Sequence, residues 1–198
     1  MPAARTPDGP LVVGIGGTLR PDSSTERALD SALESARASG ARTVRFGGDA
    51  LAGLPIYSPT DDRRGPRTAE LIEQARRADG LIVASPGYHA SISGLVKNAL
   101  DYLEDLREDD RPYLTGRAVG CIATGAGWQA TVSTLAALRA IVHSLRGWPT
   151  PLGATINTTG SAGPDDERSR FQLATVGSEV VEFTHRWRRP AGDTRAAA

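Results

Sequence analysis

The sequence predicts a single α/β domain, a doubly wound five-stranded parallel sheet with helices on both faces. Three observations lead there. Short, continuous apolar runs recur along the chain and end in glycine or proline. Between them lie longer segments with apolar residues at helical spacing. The two alternate through five strand–helix units. Continuous apolar strands suit a sheet covered on both faces, and strand–helix alternation is the pattern of parallel crossovers. At 198 residues the chain is long enough for one domain with a substantial core.

The elements follow in order. Residues 1–10 are rich in Pro and small residues and predict a disordered lead-in, as residues 190–198 predict a disordered tail. The single domain is expected over 11–189. Leu11–Ile15 is the first strand, stopped by Gly16-Gly17. Ser24–Ala38 puts Ala28, Leu29, Ala32, Leu33 and Ala36 on one helical face. Arg42–Phe46 is the second strand. Thr68–Ala78 carries Leu71, Ile72 and Ala75 at helical spacing. Leu81–Ala84 is a third strand, expected to stop at Pro86-Gly87. Leu95–Leu106 is helical, Ala118–Ala123 a fourth strand, Thr131–Leu145 a helix and Leu152–Ile156 a fifth strand. Asp165–Trp187 is a final helix, with acids at its start and Arg186, Arg188 and Arg189 at its end, as the helix dipole prefers.

Composition narrows the function. The chain has 23 basic and 23 acidic residues, a formal net charge of zero. Binders of nucleic acid and anionic membranes carry a basic excess, so neither partner is expected. Lys97 is the lone lysine; the other 22 basic residues are Arg. Cys121 is the lone cysteine, which rules out an intrachain disulfide and a Cys-based metal site and fits a reducing compartment. No apolar run approaches the ~18–20 residues of a membrane span, and no signal peptide is evident. A cytoplasmic protein is the expectation. No His, Asp and Glu cluster has metal-ligand spacing, so no metal is expected.

Doubly wound sheets bind ligands beyond the carboxyl ends of their strands. That points to three loops: Gly16–Ser24, Ser85–Gly94 and Thr124–Gln129. In the first, Ser23-x-x-Glu26 reads as a capping box at a helix N-terminus. Such an end offers free N–H groups and partial positive charge to a phosphate. Thr18, Ser23, Ser24 and Thr25 add hydroxyls, and Arg20 adds a guanidinium fork. Better-known phosphate loops are excluded. A G-x-G-x-x-G fingerprint would need Gly where Leu19 stands, and a Walker A loop would need its Lys here rather than at position 97. A phosphoacceptor receiver domain would need acids where Gly16-Gly17 and Ser85-Pro86 stand.

The stretch after the third strand carries Pro86, Tyr88, Gly94, Lys97, Asn98, Asp101 and Tyr102 in the spacing P-x-Y-x-x-x-x-x-G-x-x-K-N-x-x-D-Y. This resembles the signature of the NADPH-dependent FMN reductase family, a flavodoxin-like group. Gly17, Thr18, Arg20 and Ser23 resemble that family's G-S-x-R-x-x-S element, and Thr124-Gly125-Ala126-Gly127 its small-residue loop after strand four. The resemblance covers roughly residues 11–157. It departs at Gly87 and His89, where the family often has Glu and Asn.

The resemblance implies an FMN-dependent oxidoreductase with NADPH or NADH as co-substrate, working by ping-pong exchange. The phosphate would lie on Thr18, Arg20, Ser23, Ser24 and Thr25. The ring edge would meet Pro86, Gly87, Tyr88, His89 and Ala90 on one side and Thr124, Gly125, Ala126 and Gly127 on the other. Chemistry belongs to the flavin, so no obligatory catalytic side chain is implied. Tyr88 and His89 are read as shaping the pocket, with proton donation by His89 to a quinone or azo acceptor as the alternative. The implied partners are a small-molecule electron acceptor (a flavin, quinone, azo compound or other small molecule), a flavin-dependent monooxygenase and a second copy of the chain, as homodimer or homotetramer. The rival class is a flavodoxin-type electron carrier that does not use NAD(P)H. Zero net charge counts against its usual acidic docking face.

Other residues receive structural expectations. Cys121 reads as a core thiol, Lys97 as an ion-pair partner of Asp101, and His143 and His185 as structural or solvent-facing. Trp128 is open between a cover over the site and a core or interface anchor. Arg63, Arg64 and Arg67 follow an apolar stretch, Leu51–Tyr57. They are read as a solvated mobile loop in preference to a site for the 2′-phosphate of NADPH.

Overall fold

A computed structural model of the chain describes residues 9–159 and 163–187. Parallel strands β1 (Leu11–Gly16), β2 (Arg42–Phe46), β3 (Gly80–Tyr88) and β5 (Ala118–Gly125) lie in the order β2-β1-β3-β5. The edge beyond β5 is made by β6 (Trp148–Pro149) and β7 (Ala154–Asn157), both parallel to β5. Helices α1 (Ser24–Ala38), α2 (Gly48–Ala52), α3 (Pro66–Arg77), α4 (Gly94–Asp101), α5 (Trp128–Ser144) and α6 (Glu167–Trp187) connect and cover the sheet. The expected doubly wound parallel sheet is therefore present.

The two faces separate residue by residue, because side chains alternate along a strand. Val13, Ile15, Leu81, Val83, Val119 and Cys121 pack with Leu71 of α3, Val96 of α4 and Leu138 of α5. Val12, Ile82, Ala84, Ile122 and Ile156 pack with Leu29 and Leu33 of α1 and Val176 and Val180 of α6. Cys121 is buried, and desolvation pushes its thiol up to about 12, so it stays protonated.

Several element ends shift by one to three residues, among them the start of α5 at Trp128 in place of Thr131, and four larger departures stand out. β3 runs through Pro86-Gly87 to Tyr88 instead of stopping at Ala84, and Pro86 pairs in register with Thr124. It then turns back into a two-residue antiparallel strand, β4 (Ser91–Ile92). The helix expected to run to Leu106 ends at Asp101 and tightens into a 3₁₀ turn over Tyr102–Leu106. The fifth strand, expected over Leu152–Ile156, begins only at Ala154 as β7, and a separate two-residue strand, β6, precedes it, ending at Pro149; Pro151, in the gap between them, has no ladder donor. Finally, α2 forms inside a stretch read as loop; it buries Leu51. Arg188 and Arg189, expected at the end of α6, lie outside the described residues, as do positions 1–8 and 190–198. Within the expected lead-in, the Pro10 carbonyl already accepts from Arg42 N–H at 2.8 Å.

The end of the sheet away from the three loops holds a buried cation that the sequence reading did not single out. Arg117 is 1% exposed. Its guanidinium donates to the carbonyls of Ala78 (3.0 Å), Tyr113 (2.9 Å) and Arg76 (2.7 Å). Burial lowers its pKa to about 10, so it remains charged at neutral pH. These bonds terminate α3 and tie it to the start of β5. Nearby, Asp79 Oδ2 accepts from Leu11 N–H at 2.8 Å. Replacing Arg117 with Met strands three carbonyls. The expected loss is about 3 kcal/mol or more, from an unfolding titration in urea; a loss near zero removes Arg117 from this role.

Candidate active site

Parallel pairing places the ends of β1, β3 and β5 side by side, and the three glycine- and hydroxyl-rich loops with them. The first loop leaves β1 at Gly16. Gly17 has φ +128°, and a Cβ there would lie 2.6 Å from the Gly48 nitrogen. Glycine is required by both conformation and crowding. Thr18 Oγ1 accepts from Arg20 N–H at 3.1 Å and closes a short turn. Leu19 and Arg20 are exposed. Ser23 caps α1 with backbone extended, and its Oγ accepts from Glu26 N–H at 3.2 Å.

Only half of the expected capping box forms. Glu26 Oε1 accepts from Gly48 N–H at 2.8 Å and pairs with Arg45 at 3.1 Å instead of returning to the cap. The carboxylate therefore ties α1 to α2. The N–H groups of Ser24 and Thr25, in the first turn of α1, have no intrahelical acceptor.

Loops one and three are joined directly. Thr25 Oγ1 and Thr124 Oγ1 lie 2.6 Å apart, each residue 2% exposed. One hydroxyl donates to the other, and the accepting threonine keeps its own O–H to donate. Gly125 and Gly127 are half-buried and Ala126 is exposed. Gly127 caps α5 with φ +102°. Asn157, at the end of β7, holds this loop: its Oδ1 accepts from Gly127 N–H at 2.9 Å and Thr159 N–H at 3.0 Å. The sequence reading missed Asn157; its place at the carboxyl end of a strand was the available signal.

The second loop is a tight hairpin. Gly87 pairs with Ile92 and Tyr88 with Ser91, leaving His89 and Ala90 as the two turn residues. Their φ angles are +51° and +65°. Two-residue hairpins of this hand favour Asn and Gly, because a Cβ crowds the backbone in the left-handed region. Ser85, fully buried, accepts from Ser93 N–H at 3.0 Å and donates to the Pro86 carbonyl at 2.9 Å. Thr134 Oγ1 of α5 donates to the Ser91 carbonyl at 3.2 Å. Tyr88, His89 and Ala90 are exposed at the tip.

The signature residues beyond this hairpin prove to be supports. Lys97 Nζ lies 2.5 Å from Asp101 Oδ1, the ion pair expected from their spacing. Asn98 Oδ1 accepts from Tyr57 N–H at 2.8 Å, and its Nδ2 donates to the Pro55 carbonyl at 2.8 Å. Tyr102 Oη donates to the same carbonyl at 3.0 Å. Asn98 and Tyr102 thus latch the Pro55–Tyr57 strap against α4. Arg64 corrects the expected mobile loop: its guanidinium binds Asp105 through Nε (2.6 Å) and Nη2 (2.9 Å) and stacks near Tyr57 and Tyr102. A fork committed in this way is not free for a 2′-phosphate. Arg63 is exposed and pairs with Asp61, whose carboxyl that bond lowers to about 2.

Trp128 is not a core residue. It is 47% exposed at the start of α5, with the Arg168 guanidinium over its ring. Among the described residues no group of three His, Cys, Asp or Glu side chains is placed to hold a metal, and no helix is long and apolar enough to cross a membrane.

The arrangement as a whole fits FMN. An open helix N-terminus suits its phosphate, and glycine-rich backbone on two facing loops suits close approach of a planar ring. The sequence profile of the NADPH-dependent FMN reductase family matches residues 10–160. The chain belongs to the NADPH-dependent FMN reductase family. The FMN-dependent NADPH-azoreductase of Staphylococcus aureus is 34% identical over 135 residues, 65% of this chain and 68% of that protein. An oxidoreductase structure from Corynebacterium diphtheriae superposes with a TM-score of 0.77 at 22% identity, covering 90% of this chain and 98% of the other. An NADH:FMN oxidoreductase in its apo form superposes with a TM-score of 0.60 at 25% identity, over 90% and 88% of the two chains. This FMN reductase family member is thus an FMN-dependent oxidoreductase that takes electrons from NADPH and passes them to a small molecule. The electron-carrier alternative falls away.

The His89-Ala90 turn makes a separate prediction. Ala90→Gly relieves the left-handed strain, partly offset by the freer unfolded chain. It is expected to stabilise the protein by about 0.5–1 kcal/mol in urea unfolding. A loss of stability would mean that the turn is not held with positive φ.

Proposed function

We propose that the FMN phosphate binds the first-turn N–H groups of α1, with Thr18, Arg20, Ser23, Ser24 and Thr25 around it. The ring lies between the Pro86–Ala90 hairpin and the Thr124–Gly127 loop. Bound FMN supplies the hydride chemistry, from NADPH to an acceptor. The chain's own residues bind, orient and shield it. The observation that carries this reading is the Thr25–Thr124 hydroxyl pair, which holds the phosphate end and the ring end of the site in one rigid relation.

Each residue then has a physical part. Arg20 is exposed beside the open helix end and brings a charged fork to the phosphate. The backbones of Gly125–Ala126 and Gly87–Ala90 line the polar edge of the ring, while the Gly127 N–H is spent on Asn157, which with Ser85 preorganises the two loops. Tyr88 and His89 stand at the hairpin tip, where they bound the space above the ring. His89 shapes that space; no proton transfer is assigned to it. The acceptor class is a planar electron-poor molecule such as an azo compound, a quinone or free flavin, supported by the azoreductase relative. A second copy of the chain is proposed to complete the site. Leu19, Ile56, Tyr88 and Val132 are exposed apolar side chains, and all but Ile56 lie on the three loops or the first turns of α5. A flavin-dependent monooxygenase as recipient of released reduced flavin is the second partner reading.

Two measurements test this. The purified protein should be yellow or take up FMN, and mixing it with NADPH should bleach the flavin; a colourless, non-reconstitutable protein overturns the site. Arg20→Ala is expected to weaken FMN binding by ~1.5–3 kcal/mol, as for loss of a charged hydrogen bond. Unchanged affinity would remove Arg20 from the phosphate.

A further inference from the structure

Beside the Thr124–Gly127 loop lies a cavity that the flavin reading leaves unused. It has a volume of about 290 Å³ and lies between the start of α5, the end of β7 and the first turns of α6. Trp128, Asn157, Asp166, Arg168 and Gln172 line it. Asn157 is a shared wall, since its Oδ1 also holds Gly127 N–H in the flavin loop at 2.9 Å.

Three features of the lining define a ligand. The first is flat: the Arg168 guanidinium carbon lies 5.3 Å from the centroid of the Trp128 ring, making a stacked π pair that is partly open to solvent. Such pairs accept a further aromatic plane. The second is an unsatisfied acceptor. Gln172 Oε1 is buried and has no hydrogen-bond partner among the described residues. Buried polar atoms are rarely left so, and this one calls for an N–H or O–H donor. The third is the charge of the wall. Asp166 carries a carboxylate, held below the usual carboxylate range chiefly by the Ser169 N–H, and Arg168 carries a guanidinium, so the lining has no net charge and favours no ionic ligand. The ligand must therefore be a neutral aromatic plane with a hydrogen-bond donor, its charged groups outside. A purine with an exocyclic amine meets all three conditions.

We infer that this cleft holds the adenine nucleoside end of the dinucleotide co-substrate, the purine stacked on Trp128 and Arg168 and its amine donating to Gln172 Oε1. The inference rests on the proposed flavin site, because the nicotinamide end must reach the ring across the shared Gly127–Asn157 wall. Trp128 and Gln172 are then specificity-determining residues for a dinucleotide over a truncated hydride donor.

The test uses the FMN-loaded protein and AMP as the probe. Calorimetry is expected to show AMP binding that weakens at least tenfold in Trp128→Leu and in Gln172→Leu. The second variant replaces an orphaned oxygen with an apolar group, so its thermal stability is expected to hold or rise. In stopped flow the same variants should raise the KM for NADPH about tenfold. Flavin reduction by reduced nicotinamide mononucleotide, which lacks the adenosine, should be unchanged. Failure of AMP to bind the wild type, or unchanged affinity in both variants, overturns the inference while NADPH bleaching leaves the flavin site standing. A wild type that binds AMP yet shows no bleaching with NADPH overturns the flavin reading and, with it, the assignment of this cleft to the co-substrate.

Discussion

Parallel pairing of β1, β3 and β5 is the constraint on which everything functional in this chain depends. Parallel strands need long crossovers, so each strand must be followed by a helix on one face of the sheet or the other. Every strand-to-helix turn then falls on the same edge. The three glycine-rich loops are far apart in sequence, yet the register brings Gly16 beside Ala84 and Pro86 beside Thr124. A site made of backbone N–H groups requires this shared edge, because no single loop surrounds a planar cofactor.

Edge placement alone leaves loops free to move, and the structure removes that freedom with short-range polar contacts. Thr25 and Thr124 join the first and third loops. Asn157 fixes the third from the neighbouring strand, and Ser85 with Ser93 fixes the second. The strap at Pro55–Tyr57 is latched by Asn98 and Tyr102. These side chains act through the backbone they hold, which preorganises donors before a ligand arrives. The price is local strain, visible at His89 and Ala90, where two residues with side chains occupy left-handed backbone. The opposite edge of the sheet is given over to stability, with Arg117 and Asp79 satisfying carbonyls and N–H groups that the element ends leave unpaired.

Much of this was legible from residue order. Apolar periodicity placed α1 at Ser24–Ala38 and β2 at Arg42–Phe46 with the bounds the structure has. Lys97 and Asp101 were paired by their i,i+4 spacing, and Cys121 was placed in the core by its apolar neighbours. Legibility failed where tertiary contacts overrode local signals. Pro86 is a strand breaker by rule, but an inward neighbour on β5 carries β3 past it. Glu26 completes a capping box by pattern, but Gly48 N–H and Arg45 compete for its carboxylate and win. Arg64 looked solvated in a charged run, until Asp105, 41 positions later, closed a bidentate pair on it.

The sequence by itself determined the fold class, the edge of the sheet where function sits, the family and hence the cofactor. These follow from periodicity and from motifs whose spacing is local. Only the tertiary structure decided what the motif residues do. Asn98 and Tyr102 are latches, Thr25 and Thr124 a staple, and Trp128 one wall of a second cleft with Arg168 and Gln172. Such roles are relations between distant residues, set by which side chain finds the unsatisfied donor or acceptor of another element. The same is true of charge. Zero net charge argues against polyanionic partners, but which of the described arginines are spent on a neighbour was decided by packing alone.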